Sequence, residues 1–211
     1  MRTSFKASLA MIALGLALTG CTGRTEVTTF PATTSPTSVP STSTSPAAGN
    51  PSVPTPSSAL PDTAGAIDGS RWDFNSFVTP SGSIVCGLTA EGVRCDLPEG
   101  FTGKTPRDSE FCGENSLGVT SVHVDDTTTD YFCANDPAGS PWVGGEETKW
   151  WQSDFGSVKD GDDKAAVLPY GKKLATGAFV CLSDKIGVTC ANTKLGIGFT
   201  LAKAGATFYR Q

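Results

Sequence analysis

The chain has 211 residues, with 16 basic and 21 acidic side chains, a single histidine and a formal charge of −5. A net acidic chain argues against nucleic acid and against anionic lipid headgroups as partners. Seven cysteines without one Cys-x2-Cys pair, alongside one histidine, argue against a structural zinc or other metal centre.

In chain order, the first element is an address. Arg2 and Lys6 precede an apolar run, Leu9 to Leu18, that is too short for a stable bilayer-spanning helix. The run ends in Leu18-Thr19-Gly20-Cys21. This has the form of a bacterial lipobox, in which small residues admit a signal peptidase and the thiol accepts a diacylglyceryl group. The alternative is an ordinary signal peptide followed by an unrelated cysteine. By resemblance to bacterial lipoproteins, residues 1–20 are expected to be removed. Cys21 then carries the acyl chains, palmitate among them, that hold the protein on the extracytoplasmic face of the cell membrane. Two acyl chains, at about 0.8 kcal/mol per buried methylene, suffice for lasting attachment.

Residues 21–66 read as a linker. They contain eight of the fourteen prolines, many serines and threonines, and few charges or aromatics. Such a segment buries too little apolar surface to offset its ordering entropy and is expected to be a disordered stalk. At roughly 3.1 Å per residue in polyproline II form, it reaches on the order of 100 Å. Its composition also suits O-glycosylation.

Residues 67–211 are then one domain, large enough for a sizeable core. Removing three basic and two acidic residues from the total leaves 13 minus 19, or −6. The charge is uneven: residues 108–163 hold 13 acids against Lys149 and Lys159, net −11, whereas 164–211 hold seven basic residues against Asp184, net +6.

The clearest signal is a repeat. CGLTAEGVRC, Cys86 to Cys95, returns as CLSDKIGVTC, Cys181 to Cys190, and both read C-x5-G-V-x-C. In the first copy Ile84, Cys86 and Leu88 share one strand face, and Val93, Cys95 and Leu97 share the returning one. In the second, Phe179 and Cys181 face Ile186, Val188 and Cys190. Eight residues between the cysteines place them opposite each other across a short turn, within disulfide range. Each copy is therefore expected to be a disulfide-stapled hairpin with its bridge toward the core. By elimination Cys112 pairs with Cys133, closing a loop around GVTSVHVDDTTTDYFC. Turn residues punctuate the chain densely (Pro80-Ser81-Gly82, Pro98-Glu99-Gly100, Gly139-Ser140-Pro141, Gly144-Gly145, Asp160-Gly161), and the last segment, GVTCANTKLGIGFTLAKAGATFYR, reads as further strands. A short helical turn is expected at TPRDSEF, with Thr105 as cap and Pro106 at the first helical position. The fold class is all-β or β-dominated, a small sandwich or barrel-like domain of antiparallel hairpins behind a disordered stalk.

TPSGSIVC…VRCDL, then Cys112…YFCANDP, VLPYG, and GAFVC…GVTCAN…GIGFTLAK…Y together resemble a family of actinobacterial secreted proteins and lipoproteins of unknown function. That family shows PSGNI-x-C early and GVTC-x-N-x-x-TGHGF late. The resemblance covers roughly 74–209. Ser83, Leu195 and Ile197 depart from it, standing where asparagine, threonine and histidine are usual. It implies a secreted, disulfide-bonded domain and no particular activity.

Chemistry-bearing residues are few. His123, in SVHVDD, lacks a nucleophile elbow and reads as an ordinary strand residue rather than a base oriented by Asp125 or Asp126. KDGDDK (159–164) is not a calcium-binding EF-hand loop, because Gly171 stands twelve positions from Asp160 where glutamate is needed. Trp150-Trp151 is the candidate ligand-binding pair: of two adjacent strand tryptophans one must face outward if the other is buried, free to stack on a sugar or anchor a partner, the alternative being that neighbouring loops cover both. The reading is a cell-envelope lipoprotein whose domain is a non-catalytic binding or accessory module, without cofactor or metal. Its candidate partners are an envelope glycan, another cationic or polyhydroxylated ligand, or a protein. The rival is a carboxylate-dependent hydrolase of envelope polymers, which requires paired acids in a concave site.

Overall fold

In the computed structural model, residues 59–106, 111–113 and 118–210 are described. Cys21, most of the expected stalk and residues 107–110 of the helical turn expected at 105–111 lie outside them. Among the described residues, no helix is long and apolar enough to cross a membrane.

The described residues are mostly β, with two short 3-10 turns. A five-stranded antiparallel meander comprises β2 (Asn75–Val78), β3 (Val85–Leu88), β4 (Gly92–Asp96), β5 (Val119–Asp125) and β6 (Thr129–Cys133). A second antiparallel meander comprises β9 (Lys173–Thr176), β10 (Phe179–Asp184), β11 (Gly187–Asn192), β12 (Ile197–Ala202) and β13 (Gly205–Tyr209); β1 (Ile67–Asp68) makes it a six-stranded sheet. A separate hairpin is formed by β7 (Ser157–Asp160) and β8 (Asp163–Ala166).

The repeated ten-residue motif is the centre of a larger repeat. In the first meander Phe77 pairs with Cys86, Cys86 with Cys95, Cys95 with Val122, and Val122 with Tyr131. In the second, Leu174 pairs with Cys181, Cys181 with Cys190, Cys190 with Phe199, and Phe199 with Phe208. Pleating sends every member of such a rung to the same face, and here that face is the core, where all are buried except Tyr131 and Phe208, which are half-buried. The rungs meet: Cys95 Sγ lies 3.8 Å from Cys190 Sγ, and the Tyr131 and Phe208 rings stand edge to face with centroids 5.0 Å apart. The fold is thus a sandwich of two like meanders whose disulfides touch at its centre.

Three bridges are present, Cys86–Cys95, Cys181–Cys190 and Cys112–Cys133. The first two sit at directly opposed strand positions with Cα atoms 4.1 Å apart. Each is preceded by the same turn chemistry. Gly82 and Gly177, both four residues before the first cysteine of the pair, have φ of +74° and +61°, a conformation only glycine adopts without strain.

Sequence-local reasoning does not reveal how the meanders are flanked. The segment ahead of each meander crosses to the other one. β1 runs parallel to β9, with Ile67 opposite Leu174 and the Gly69 amide donating to the Ala175 carbonyl at 2.7 Å. Correspondingly, Val167 bridges Val78 in parallel, and the Leu168 amide donates to the Val78 carbonyl at 3.0 Å. Buried Asn75 ties the sheets, its amide donating to the Gly69 carbonyl and to Thr176 Oγ1, both at 3.0 Å. Leu60 and Ala66, within the expected linker, pack on the outer face of the six-stranded sheet against Ala175, Val180 and Ala191.

Candidate functional site: a groove on the outer face of the five-stranded sheet

Because side chains alternate across a strand, the neighbours of the core rung point outward. In the five-stranded sheet these are Val78, Val85, Asp96 and Ser121, successive partners across β2 to β5. Val78, Val85 and Asp96 form the floor of a groove of about 510 Å³, within the usual size range of ligand sites. One wall is the β7–β8 hairpin, whose Val158 and Ala165 pack with Val78 and Val85. A second is the Ser81-Gly82-Ser83 turn, in which Thr79, Ser81 and Ser83 hydroxyls are linked at 3.0 and 2.7 Å. The third is the run Gly139-Ser140-Pro141-Trp142.

Trp142 is placed by backbone bonding. The Ala166 amide donates to the Pro141 carbonyl at 2.5 Å and the Val143 amide to the Lys164 carbonyl at 2.8 Å, so the run adds an antiparallel bridge to β8 opposite Ala165. That register puts the indole on the same face as Ala165, toward the groove, and leaves it 51% exposed. Thr148, whose hydroxyl donates to the Trp142 carbonyl at 2.7 Å, holds the loop from behind.

The aromatic therefore differs from the one singled out above. Trp150 is only 3% exposed and its indole N–H donates to the Ser76 carbonyl at 3.0 Å. It stacks on Phe155 within the core, so it offers no surface to a ligand. Trp151 is half-buried against the core, its N–H bound to the Gly156 carbonyl at 2.9 Å. Both lie between two 3-10 turns, Glu146–Thr148 and Ser153–Phe155, rather than on a strand. The alternation argument thus has no purchase on them. The signal that marks Trp142 is its setting, Gly-Ser-Pro-Trp-Val-Gly-Gly, a large aromatic among turn residues.

Four acids of residues 108–163 are engaged by the scaffold. Asp125 accepts from the Thr127 amide and hydroxyl and the Thr128 amide. Burial would raise its pKa, but these bonds and nearby His123 outweigh burial and hold it below its ordinary value. Asp126 accepts from Asn192 at 3.0 Å, Asp130 pairs with Arg210 at 2.9 Å, and Glu147 accepts from the Ser140 amide at 2.7 Å. Arg94 grips Asp96 with two nitrogens at 2.9 and 3.0 Å and also donates to the Asp136 carbonyl. Asp96 in turn accepts from the Ala138 amide at 2.6 Å, which fixes the loop beside the groove.

His123 lies on β5 with Nε2 3.6 Å from Asp125 Oδ2 and its ring edge-on to Phe132. Its Nδ1 is buried without a partner. Lys159 to Lys164 forms the tip of the β7–β8 hairpin. Among the described residues the one cluster of metal-ligating side chains is Cys86, Cys95 and Cys190. Disulfide bonding leaves its sulfurs without thiolate character, so it is packing and not a metal centre.

Of the groove's three acids, Asp96 is held by Arg94 and Glu99 pairs with Lys203 at 2.8 Å, whereas Asp160 lines it next to Lys159. The lysine hydrogen bond lowers the Glu99 carboxyl below its ordinary value, opposite to what a general acid for glycoside cleavage requires. The groove offers an indole wall, an apolar floor and a hydroxyl-rich rim. Comparison with protein-family models, with curated proteins and with solved structures finds no match to this chain.

Proposed function

We propose that the protein is a non-catalytic binding module of the cell envelope, held to the membrane through Cys21 by the stalk and engaging its partner in the Trp142 groove. The observation that carries the reading is the half-exposed indole standing over an apolar floor in a concave site, with its backbone fixed on both sides. A rigid aromatic so placed supplies contact area at little entropic cost. A carboxylate-dependent hydrolase receives less support, because two of the groove's three acids, Asp96 and Glu99, are engaged with Arg94 and Lys203.

The test is photo-crosslinking in intact cells with a benzophenone side chain at position 142 and, as control, at Tyr170, an exposed aromatic that does not line the groove. Discrete adducts from position 142 and not from 170 are expected. Identical adducts from both positions overturn the assignment of the groove. The anchor is tested by Cys21→Ala, which is expected to move the protein from the membrane to the soluble fraction.

A further inference from the structure

Three properties of the Trp142 groove narrow what it can hold. The first is charge. Its lining carries three carboxylates, Asp96, Glu99 and Asp160, and two ammonium groups, Lys159 and Lys203. Arg94 grips Asp96 through two nitrogens, Lys203 holds Glu99 at 2.8 Å, and Lys159 adjoins Asp160 in the lining. With Arg94 counted, carboxylates and cations balance. A charged ligand would compete with pairs already made, whereas a neutral one meets no like charge.

The second is the kind of hydrogen-bonding group presented. An extended peptide is held chiefly by main-chain bonds along a sheet edge. Here the floor, Val78 and Val85, belongs to the face of a sheet, and the lining residues Pro98, Pro137 and Pro141 have no N–H. Backbone groups of the walls are used internally. The Ser140 amide donates to Glu147 at 2.7 Å, the Gly82 amide to the Thr79 carbonyl at 2.8 Å, and the Pro141 carbonyl accepts from Ala166. What the rim presents instead is hydroxyls. Buried Thr79 begins a chain in which Thr79 Oγ1, Ser81 Oγ and Ser83 Oγ are linked at 3.0 and 2.7 Å, and the Ile84 amide donates to Thr79 Oγ1 at 3.3 Å. Each hydroxyl can both donate and accept. The chain is therefore oriented from its buried end, and its solvent end matches a group that does the same, another hydroxyl.

The third is extent. Asp96, Pro98 and Pro137 also line a second hollow of about 440 Å³, to which Thr120 and Asn135 add a hydroxyl and an amide. Two hollows sharing a border suit a linear chain of several units. We propose that the groove binds a neutral polysaccharide. One sugar ring lays its C–H face against the Trp142 indole and the apolar floor, its hydroxyls meet Ser81 and Ser83, and the following rings run past Asp96 toward Asn135. A pyranose ring has an apolar face edged by hydroxyls, which is the pairing that wall, floor and rim present. This rests on the groove being the binding site and specifies what it binds.

The test is titration of the full-length chain, followed by backbone NMR, with tetrasaccharides of glucose, N-acetylglucosamine and mannose, with the matching disaccharides, and with a capped neutral peptide copying residues 51–59, PSVPTPSSA. At least one tetrasaccharide is expected to shift Ser83, Val85, Trp142 and Asn135 and to bind more tightly than its disaccharide. Its affinity should stay within about twofold between about 50 and about 500 mM salt, because no charge pairs with the ligand. Trp142→Ala should weaken it by about tenfold or more, and Ser83→Ala by about three- to tenfold, while the dispersion of core signals stays native in both. Sugar shifts outside the groove, an affinity untouched by Trp142→Ala, or a steep loss with salt overturns the proposal. Binding of the peptide in the groove and of no sugar overturns it and leaves the groove as a binding site. Silence from every sugar overturns it too; the groove itself falls with it only if position 142 also gives no discrete adducts in intact cells.

Discussion

The two meanders share a core rung, a disulfide at the same register and a positive-φ glycine four residues before it, yet their outer faces have been put to different uses. On the six-stranded sheet the outer rung is small, Ala175, Val180, Ala191 and Gly198, and residues 60–66 close over it. On the five-stranded sheet the same rung is Val78, Val85, Asp96 and Ser121, and its first three members floor a groove. The inner face is constrained by packing against its twin, whose sulfurs it touches, and so both copies keep it. The outer face is free of that constraint, and residues 60–66 cover it on one sheet while a groove lies over it on the other. Long insertions in the first meander serve that difference. Its β4–β5 connection carries Cys112, and the chain after β6 supplies the loop of Trp142 and the β7–β8 hairpin; the second meander makes the β11–β12 connection in four residues.

The largest effect is expected where the copies are alike. Replacing Cys86 and Cys95 with alanine, or Cys181 and Cys190, opens a nine-residue link, worth about 2–3 kcal/mol in the chain-entropy model. It also removes buried sulfur from a packed centre. The two double variants should lose similar amounts of stability in urea melts. The quadruple variant should depart from their sum, because the bridges are in contact and neighbouring sites couple. Markedly unequal losses would show that the equivalence is geometric but not energetic.

How far the sequence disclosed this architecture follows from the range of each interaction. The stapled hairpins were legible because both partners of each bridge lie nine residues apart and the face pattern is local. The β-rich class and the Cys112–Cys133 link followed from the same marks. The exchange of flanking segments was not legible. β1 is two residues long, and its parallel partner lies more than one hundred positions away, with nothing in Ile67-Asp68 to name Leu174. The site was half legible. The acidic stretch 108–163 does contain Trp142, Asp160 and Val158, but the Trp150-Trp151 pair drew the eye as a strand, whereas the chain there turns in two 3-10 segments and buries Trp150. Exposure of Trp142 depends on which loops pass over it, a tertiary fact.

A smaller contrast separates the outer faces. Leu60→Ala is expected to cost about 1–2 kcal/mol, less than a fully buried leucine because the side chain is only partly covered. Trp142→Ala, at a half-exposed residue whose loop is held by its backbone, should change stability by at most about 0.5 kcal/mol. Thermal melts of the two variants separate cover that belongs to the fold from surface that is held open. A large loss from Trp142→Ala would mean that the groove wall is structural.

The smallest effect concerns pH and only the covered face. Asp62 lies below its ordinary value of 3.8 chiefly because Lys173 donates a hydrogen bond to it, and Asp68 because the Ser70 amide does. A carboxyl depressed in the folded state contributes stability that is present above its unfolded pKa and is lost as pH falls through the folded one. Both groups are fully exposed and screened by solvent, so global stability should barely respond. The local consequence is different, since Asp62 anchors the segment that bears Leu60 and Asp68 shapes the turn after β1. Below about pH 3.8 the segment should loosen from the six-stranded sheet, seen as a lower hydrogen-exchange protection factor at the Gly69 amide, which donates to Ala175, while amides of β10 and β11 stay protected. Asp62→Asn should bring the lower protection factor to neutral pH and flatten its pH dependence. A Gly69 protection factor that is unchanged from pH 7 to 3 would show that Leu60 and Ala66 hold the segment by packing alone. The ion pair would then be an incidental surface contact of the kind that contributes little.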